Sequence, residues 1–196
     1  MEIEINYERS GYSDVARSRY SRILFSCFMQ PLSVTQLSRK AGMSSASCTE
    51  VLRRLRHQGY VECLNPKAVS SRIYWLTEEG LKFQRGFFDS RSVELPPHDF
   101  AEVDWEIYGQ LCTSHRSLVV KTLTEPMQPS QIKRKAYRND CKVRMSANNV
   151  RDVIRWLLSK GVVRKVLVRR RAHPLYELTE SGTKFQSLLR RAGSLR

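Results

Sequence analysis

Residues 43–61 read MSSASCTEVLRRLRHQGYV, and residues 145–163 repeat that pattern as MSANNVRDVIRWLLSKGVV. The match continues without a gap at a shift of 102 positions, so that YWLTEEGLKFQ (74–84) aligns with YELTESGTKFQ (176–186). Residues 43–84 share 15 identities in 42 positions with the later copy. A repeat of about 100 residues is too long for a solenoid unit. It therefore predicts an internal duplication of one small domain.

The match also extends upstream of both segments. PLSVTQLSRKA (31–41) aligns with PMQPSQIKRKA (126–136), but here the shift is 95 positions. The difference of seven is one insertion, YRNDCKVR (137–144), which stands where the first copy has only Gly42. The insertion distinguishes the second copy from the first.

The boundary between the copies is expected at SVELPPHDF (92–100), where two consecutive prolines favour an extended connector. A chain of 196 residues is long enough for two small domains, each with a modest core. We therefore predict a first domain at 1–91, a linker at 92–100 and a strongly basic second domain at 101–196.

Apolar periodicity and capping residues predict the same order of elements in both copies: three helices, a two-stranded wing and a last helix. In the first copy Ser13, Thr35 and Ser44 are placed to cap three successive helices, of which the first runs to about residue 28. Gly42 and Gly59 are placed to end the second and the third helix.

The wing strands are predicted from short apolar segments on either side of a turn. In the first copy they are expected at 60–64 and 72–76, and in the second copy at 162–168 and 175–178. The segment 102–123 is compatible with one long helix or with two.

This succession of elements resembles the winged helix-turn-helix superfamily. The signature Tyr-x-Leu-Thr-x-x-Gly occurs at 74–80 and at 176–182, where Thr77 and Thr179 begin the last helices, and it looks like that of MarR-type and related prokaryotic regulators. The resemblance implies a mainly α fold with small β-wings (α+β), two tandem winged helix-turn-helix domains, and DNA binding in transcription regulation. MarR-type proteins usually carry one winged unit per chain and form dimers, whereas this chain carries two.

The positive charge is concentrated in the second copy. The chain has a formal net charge of +15. Residues 1–95 contain 14 basic and 10 acidic side chains, net +4, whereas residues 107–196 contain 20 basic and 5 acidic ones, net +15. Because such a concentration repels itself, it favours a polyanionic partner, and nucleic acid is the expected one.

The third helix of each copy is expected to enter the major groove of DNA, because an α-helix fits that groove and the side chains of its first turns reach base edges. Asn and Arg are suited to bidentate contacts with adenine and guanine. The predicted base contacts are Asn148, Asn149, Arg151 and Arg155 in the second copy, and Ser45, Thr49 and Arg53 in the first.

Cations beside this helix and on the wings are predicted to contact phosphates, together with the serine that caps the third helix of the second copy. Most of them belong to the second helix, the insertion and the wing of the second copy, and the first wing offers only two. The predicted phosphate contacts are Ser146, Lys133, Arg134, Lys135, Arg138, Lys142, Arg144, Arg164, Lys165, Arg169, Arg170, Arg171, Lys67 and Arg72.

The sequence shows no Gly-rich phosphate loop, no HExxH motif, no nucleophile elbow and no cluster of paired carboxylates, so we predict no enzymatic activity and no cofactor. Five scattered cysteines without CxxC spacing predict no metal site. The acidic, polar N-terminus and the lack of any apolar run near ~20 residues predict a cytoplasmic protein without membrane contact, nucleoid-associated if prokaryotic.

The leading interpretation is a duplex-DNA-binding transcriptional regulator, with double-stranded DNA favoured over RNA as the partner. Two alternatives stay open. One is sequence-tolerant binding of DNA or RNA by an architectural, replication or ribosome-associated protein, and the other is a tandem winged-helix scaffold that binds protein. The nearly neutral first copy also permits a protein partner or a homodimer through that domain.

Overall fold

The computed structural model describes residues 18–87, 100, 102–167 and 173–194. The chain divides into two compact units, Met1–Pro66 with Arg72–Pro97 and Lys67–Ser71 with His98–Arg196. The described residues are mainly helical and carry two small antiparallel sheets, which is an α+β architecture.

The described part of the first unit has four helices and three short strands. In chain order these are α1 (Arg19–Cys27), β1 (Leu32–Ser33), α2 (Val34–Ala41), α3 (Ser45–His57), β2 (Val61–Cys63), β3 (Ile73–Leu76) and α4 (Glu78–Phe87). The strands form one antiparallel sheet in the order β1–β3–β2, with Leu32 opposite Tyr74 and Val61 opposite Leu76. Strand β1 was not predicted from the sequence.

The described part of the second unit has five helices and two strands. In chain order these are α5 (Trp105–Leu111), α6 (Ser114–Thr122), α7 (Pro129–Asn139), α8 (Ala147–Ser159), β4 (Val163–Val166), β5 (Leu175–Leu178) and α9 (Glu180–Ser194). Strands β4 and β5 pair antiparallel, with Val163 opposite Leu178. Met127 forms an isolated bridge to Tyr176, at the position that β1 occupies in the first unit.

Two predicted helix starts differ from the structure. Helix α1 begins after Ser18, whose backbone is extended and whose Oγ accepts a hydrogen bond from the Ser21 amide at 3.2 Å. The cap predicted for this helix, Ser13, lies outside the described residues. Helix α2 is capped by Ser33 and not by Thr35, because Ser33 and Gln36 form a reciprocal capping box.

Other predicted boundaries agree with the structure to within one or two residues. Ser44 and Ser146 cap α3 and α8 through their side-chain oxygens. Gly42 ends α2 in the left-handed conformation that glycine tolerates best. The segment 102–123 contains two helices, and the wing strands are shorter than predicted, with Val168 outside the described residues.

The third helix of each unit buries one side in its own core. In α3 the side chains of Cys48, Leu52 and Leu55 are at most 1% exposed, and in α8 those of Val150 and Leu157 are fully buried. Burial of a large aliphatic side chain contributes ~1.5–3 kcal/mol. Because this side is fixed against the core, the opposite sides of α3 and α8 face solvent.

The recurring threonine and glycine of the strand-to-helix motif hold the last helix against the turn that follows the third helix. Thr77 Oγ1 donates to the carbonyl of Gly59 at 2.6 Å and accepts from the amide of Gly80 at 3.1 Å. Gly80 packs on the carbonyl of Tyr60, where a Cβ would clash. The second unit repeats these contacts with Thr179, Gly161, Gly182 and Val162. The motif is therefore a determinant of the fold.

The recurring glutamine has an equally structural role. Gln84 Nε2 donates to the carbonyls of Phe25 and Phe28, at 2.7 and 2.9 Å, near the C-terminal end of α1. Helix ends leave such carbonyls without intrahelical partners, so the buried amide satisfies them. The second unit repeats the arrangement with Gln186, Val120 and Leu123.

Within the described ranges, every helix is too short or too polar to cross a membrane. The linker predicted at 92–100 lies outside the described residues except for Phe100.

Candidate nucleic-acid interface

Helix α8 presents a polar face from its first turn onward. Ser146 Oγ accepts a hydrogen bond from the Asn149 amide at 3.1 Å, which fixes the start of the helix. Asn148, Arg151 and Arg155 are exposed, whereas Asn149 is half-buried. Three of the four α8 side chains that were predicted to contact bases therefore lie on the solvent side of this helix.

The two arginines on this face are held by neighbours on the same helix. Arg151 Nη1 donates to Asn148 Oδ1 at 3.2 Å, and Arg155 Nη2 lies 3.0 Å from Asp152 Oδ1. Exposed pairs of this kind contribute ~0–1 kcal/mol, so a bound nucleic acid would separate them at little cost. The pairs orient the guanidinium groups along the solvent side of α8.

An open cleft of about 520 Å³ connects α8 with the base of the wing. Arg151 and Arg155 line one side of this cleft, and His173 and Tyr176 line the other. The start of α7 also contributes to it through Gln128, Pro129 and Ser130. The structure thus brings both predicted base-reading arginines to one concave surface beside the wing.

Five of the six predicted phosphate contacts of α7 and the insertion are exposed. Residues 137–139 continue helix α7, and residues 140–145 form the connection to α8. No described carboxylate lies within 4 Å of five of these cations. We call this set the α7 cations, and it consists of Lys133, Arg134, Arg138, Lys142 and Arg144.

Lys135 is different from its neighbours. It is half-buried, and its Nζ donates to Thr124 Oγ1 at 2.6 Å and lies 3.7 Å from the carboxylate of Glu125. Lys135 directly follows Arg134 in α7, but its side chain contacts Thr124 and Glu125 in the segment before the helix. The α7 cations therefore do not include it.

Of the five cations predicted in the wing of the second unit, two lie in the described residues, and one of these is paired with an acid. Arg164 donates to Glu177 across the two strands at 2.7 Å, whereas Lys165 is exposed without a described carboxylate within 4 Å. Arg169, Arg170 and Arg171, which were predicted to contact phosphates, lie outside the described residues.

In the corresponding helix of the first unit, α3, the one acid is paired with two of the three arginines. Glu50 accepts two hydrogen bonds from Arg53, at 2.9 and 3.0 Å, and one from Arg54 at 2.8 Å. Hydrogen bonds from Arg53 and then from Arg54 lower the pKa of Glu50 to about 2. Thr49 Oγ1 donates to the carbonyl of Ser45 at 2.8 Å. Of the predicted base contacts of α3, Arg53 and Thr49 are thus bound to their own helix, and Ser45 is exposed.

The first wing is anchored by an asparagine and not by its cations. Asn65 is buried, and its Oδ1 accepts a hydrogen bond from the Ile73 amide at 2.7 Å. Lys67 and Arg72, the two predicted phosphate contacts of this wing, are both exposed.

Two features near the candidate interface were missed by the sequence analysis. The guanidinium of Arg116 lies 4.0 Å from the centre of the Trp156 ring, a cation–π contact between α6 and α8. Tyr137, in the insertion, is 60% exposed and lines a cleft among the α7 cations. The first contact joins residues 40 positions apart and has no sequence signal, whereas Tyr137 was visible as the aromatic residue of a basic segment.

Within the described ranges, no group of three or more His, Cys, Asp or Glu side chains is arranged to hold a metal ion. The five cysteines are free: Cys48 is buried and Cys141 is exposed.

Comparison with known proteins adds little. No family model and no curated protein matches the chain. A solved structure, the DIP2311 protein from Corynebacterium diphtheriae, is 14% identical and aligns with 82% of this chain at a TM-score of 0.27. The chain spans 26% of that protein's length.

Proposed function

We propose that the chain is a non-catalytic, double-stranded-DNA-binding transcriptional regulator, built from two winged helix-turn-helix units that arose by internal duplication. The observation that carries this proposal is the exposure of Asn148, Arg151 and Arg155 on the solvent face of α8, together with the exposed α7 cations on the preceding helix and connection. Base-reading side chains on one helix and unpaired cations on the preceding helix are what a major-groove reader needs.

In this proposal α8 lies in the major groove, and Asn148, Arg151 and Arg155 contact base edges. A good bidentate contact provides ~1–3 kcal/mol of discrimination against a wrong base. The α7 cations contact the phosphates that flank the groove and fix the position of α8, without reading sequence themselves. Lys165 and the predicted cations of the wing extend this phosphate contact along the backbone.

The experiment that tests the proposal is selection from a random duplex library at near-physiological salt with an RNA competitor present. We expect an enriched motif about one to two helical turns long, and retention of duplex DNA against RNA. Binding without an enriched motif contradicts the regulator, and preferential retention of RNA contradicts the choice of duplex DNA.

One observation favours a second candidate, sequence-tolerant binding of nucleic acid. Five exposed cations without a described carboxylate partner lie on α7 and the following connection, whereas the α8 arginines are held by Asn148 and Asp152. Contacts to phosphate dominate affinity and carry no sequence information. The same selection separates the two candidates, since this one yields salt-sensitive binding and no motif.

The first unit is proposed to have a different role, as the side through which the chain contacts a protein partner or a second copy. On its third helix the predicted base-contact arginine, Arg53, is held by Glu50, which also binds Arg54. Chemical crosslinking of the purified chain, with and without duplex DNA, tests this role.

A further inference from the structure

The longer connection of the second unit forms a cleft of its own beside α7. The cleft has a volume of about 460 Å³ and is open to solvent. Its apolar lining comes from Tyr137, Val143 and Met145. Four of the α7 cations complete the lining, namely Lys133, Arg134, Arg138 and Arg144. An apolar surface surrounded by cations suits a ligand with a flat apolar part and a negative part.

Tyr137 presents its ring to solvent within this cleft. It is 60% exposed, and Lys133 lies one helical turn before it on the same side of α7. Val143, from the connection, also lines the cleft. A nucleobase stacks well on an exposed aromatic ring, and stacking tolerates any base because each one has a π-face.

The cleft contains no negative charge of its own within the described residues. Asp140, the acid closest in sequence, accepts a hydrogen bond from the Lys142 amide at 3.0 Å and does not line the cleft. The cations of the cleft are therefore available to an anion, and phosphate is the anion that accompanies a nucleobase.

The extent of the cationic row favours a strand over a free nucleotide. Lys133 and Arg138 are five residues apart, which corresponds to about 7.5 Å along the axis of α7. Lys142, in the connection, is a further exposed cation outside the lining of the cleft. A small-molecule site encloses most of its ligand, whereas this cleft is open and the row addresses more than one phosphate.

We propose that the cleft holds an unpaired nucleotide of a bound nucleic-acid strand. Its base stacks on Tyr137, and the phosphates on either side of it contact Arg138 and Arg144. The base must be unpaired, because a base inside a duplex has both faces covered by its neighbours. This inference rests on the proposed nucleic-acid binding and adds a preference for a duplex that ends in, or is interrupted by, a single-stranded segment.

The test compares a blunt duplex with the same duplex carrying a short single-stranded tail, by fluorescence anisotropy on the full chain. We expect the tailed duplex to bind more tightly by ~5- to 150-fold, the range that stacking of one base provides. Tyr137→Ala removes this preference, and Tyr137→Phe retains it because the phenyl ring still stacks. Tyr20→Ala is the matched control, since Tyr20 is a similarly exposed tyrosine of the first unit, at 55%.

Equal binding of blunt and tailed duplexes by the unaltered chain overturns the inference and leaves the proposed function intact. A tail preference that survives in Tyr137→Ala also overturns it, because another surface then holds the unpaired nucleotide. Absence of binding to either duplex at low salt removes the proposed function and the inference together.

Discussion

The two units place a carboxylate at the same position of their third helix, with different consequences. In the first unit Glu50 binds both Arg53 and Arg54, whereas in the second unit Asp152 binds Arg155 alone. The residue that corresponds to Arg54 is Trp156, whose ring contacts Arg116 instead. Helix α3 carries three arginines and one acid and α8 carries two arginines and one acid, so the units differ in which arginines the acid holds.

The connections before these helices also differ, and the one in the second unit carries more positive charge. The first unit connects α2 to α3 through Gly42 and the residues next to it, whereas the second unit has the insertion and its cations. The contacts made by Gln84 and Gln186, and by Thr77 and Thr179, are nevertheless the same in both units. The shared contacts stabilise the fold, so the differences between the units lie on their surfaces.

The largest expected effect comes from removal of the unpaired cations of the second unit. The variant with Lys133, Arg134, Arg138 and Arg144 changed to Ala should bind duplex DNA ~10²–10³-fold more weakly at low salt. Its plot of log K against log salt should be less steep by about 3.6, since each lost phosphate contact removes ~0.9 from the slope. Anisotropy titrations at several salt concentrations measure both quantities.

A matched control removes the same charge from the first unit. The variant with Arg19, Arg39, Arg56 and Arg85 changed to Ala also loses four exposed cations, and it should leave the salt slope nearly unchanged. If both variants lose affinity and slope to the same degree, the two units contribute equally and the comparison fails.

The second prediction concerns the contacts that the units share. Gln84→Leu and Gln186→Leu should each destabilise their own unit by ~1–3 kcal/mol, because each removes a buried side-chain donor from two carbonyls, although the Phe25 carbonyl keeps the Phe28 amide at 3.3 Å. Urea unfolding monitored by circular dichroism measures the loss. Gln110→Leu, on the exposed side of α5, is the control and should change stability by less than ~0.5 kcal/mol. A large loss for only one of the two glutamines would show that the units are stabilised differently.

The sequence predicted the elements better than their exact starts. Ser44, Ser146 and Gly42 were recognised because a cap or a left-handed glycine acts on its own few residues. The cap of α2 was placed at Thr35 because the pairing of Ser33 with Gln36 was overlooked, although it too is local. Strand β1 has only two residues and depends on β3, which is 40 positions later, so no periodicity reveals it.

The sequence predicted which residues form the candidate interface, but not which of its cations pair with other side chains. The sequence identified the exposed residues of α8 and α7 because helical spacing separates them from the buried apolar side. It could not show that Lys135 binds Thr124 and Glu125, or that Arg164 binds Glu177 across two strands, since those partners meet only in the folded chain. Which cations remain free is therefore a property of tertiary structure.

The third prediction compares two arginines at corresponding positions. Arg155→Ala should alter which base is preferred at one position of the selected site, by ~1–3 kcal/mol, because a guanidinium contact to guanine is lost. Arg53→Ala should alter it less, since Nε and Nη2 of Arg53 both donate to Glu50. Binding to a panel of single-base variants measures the change. If the two substitutions alter preference equally, the role assigned to α8 is shared by α3.

The smallest expected effect is an increase in affinity for duplex DNA caused by a substitution in the first unit. Glu50→Gln removes the carboxylate that binds Arg53 and Arg54, and should increase affinity for duplex DNA a few-fold by freeing the two arginines. Glu62→Gln removes an exposed acid of β2 in the same unit and should have little effect, which separates release of the arginines from a change in net charge.

Acidification should not increase the affinity for duplex DNA as Glu50→Gln does. This difference tests whether hydrogen bonds to Glu50 hold Arg53 and Arg54. The pKa of Glu50 is lowered from its ordinary value of 4.5 to about 2, so the carboxylate stays ionised in the folded chain down to about that pH. Because its pKa is lower in the folded chain than in the unfolded chain, any stability that the Glu50 carboxylate contributes is fully present above pH 4.5. That contribution is lost as the pH falls toward 2. NMR titration of the Glu50 side-chain carboxyl resonance measures its pKa. A pKa near 4.5 would mean that Glu50 does not hold the arginines in solution, and that the contrast between α3 and α8 lies in the insertion alone.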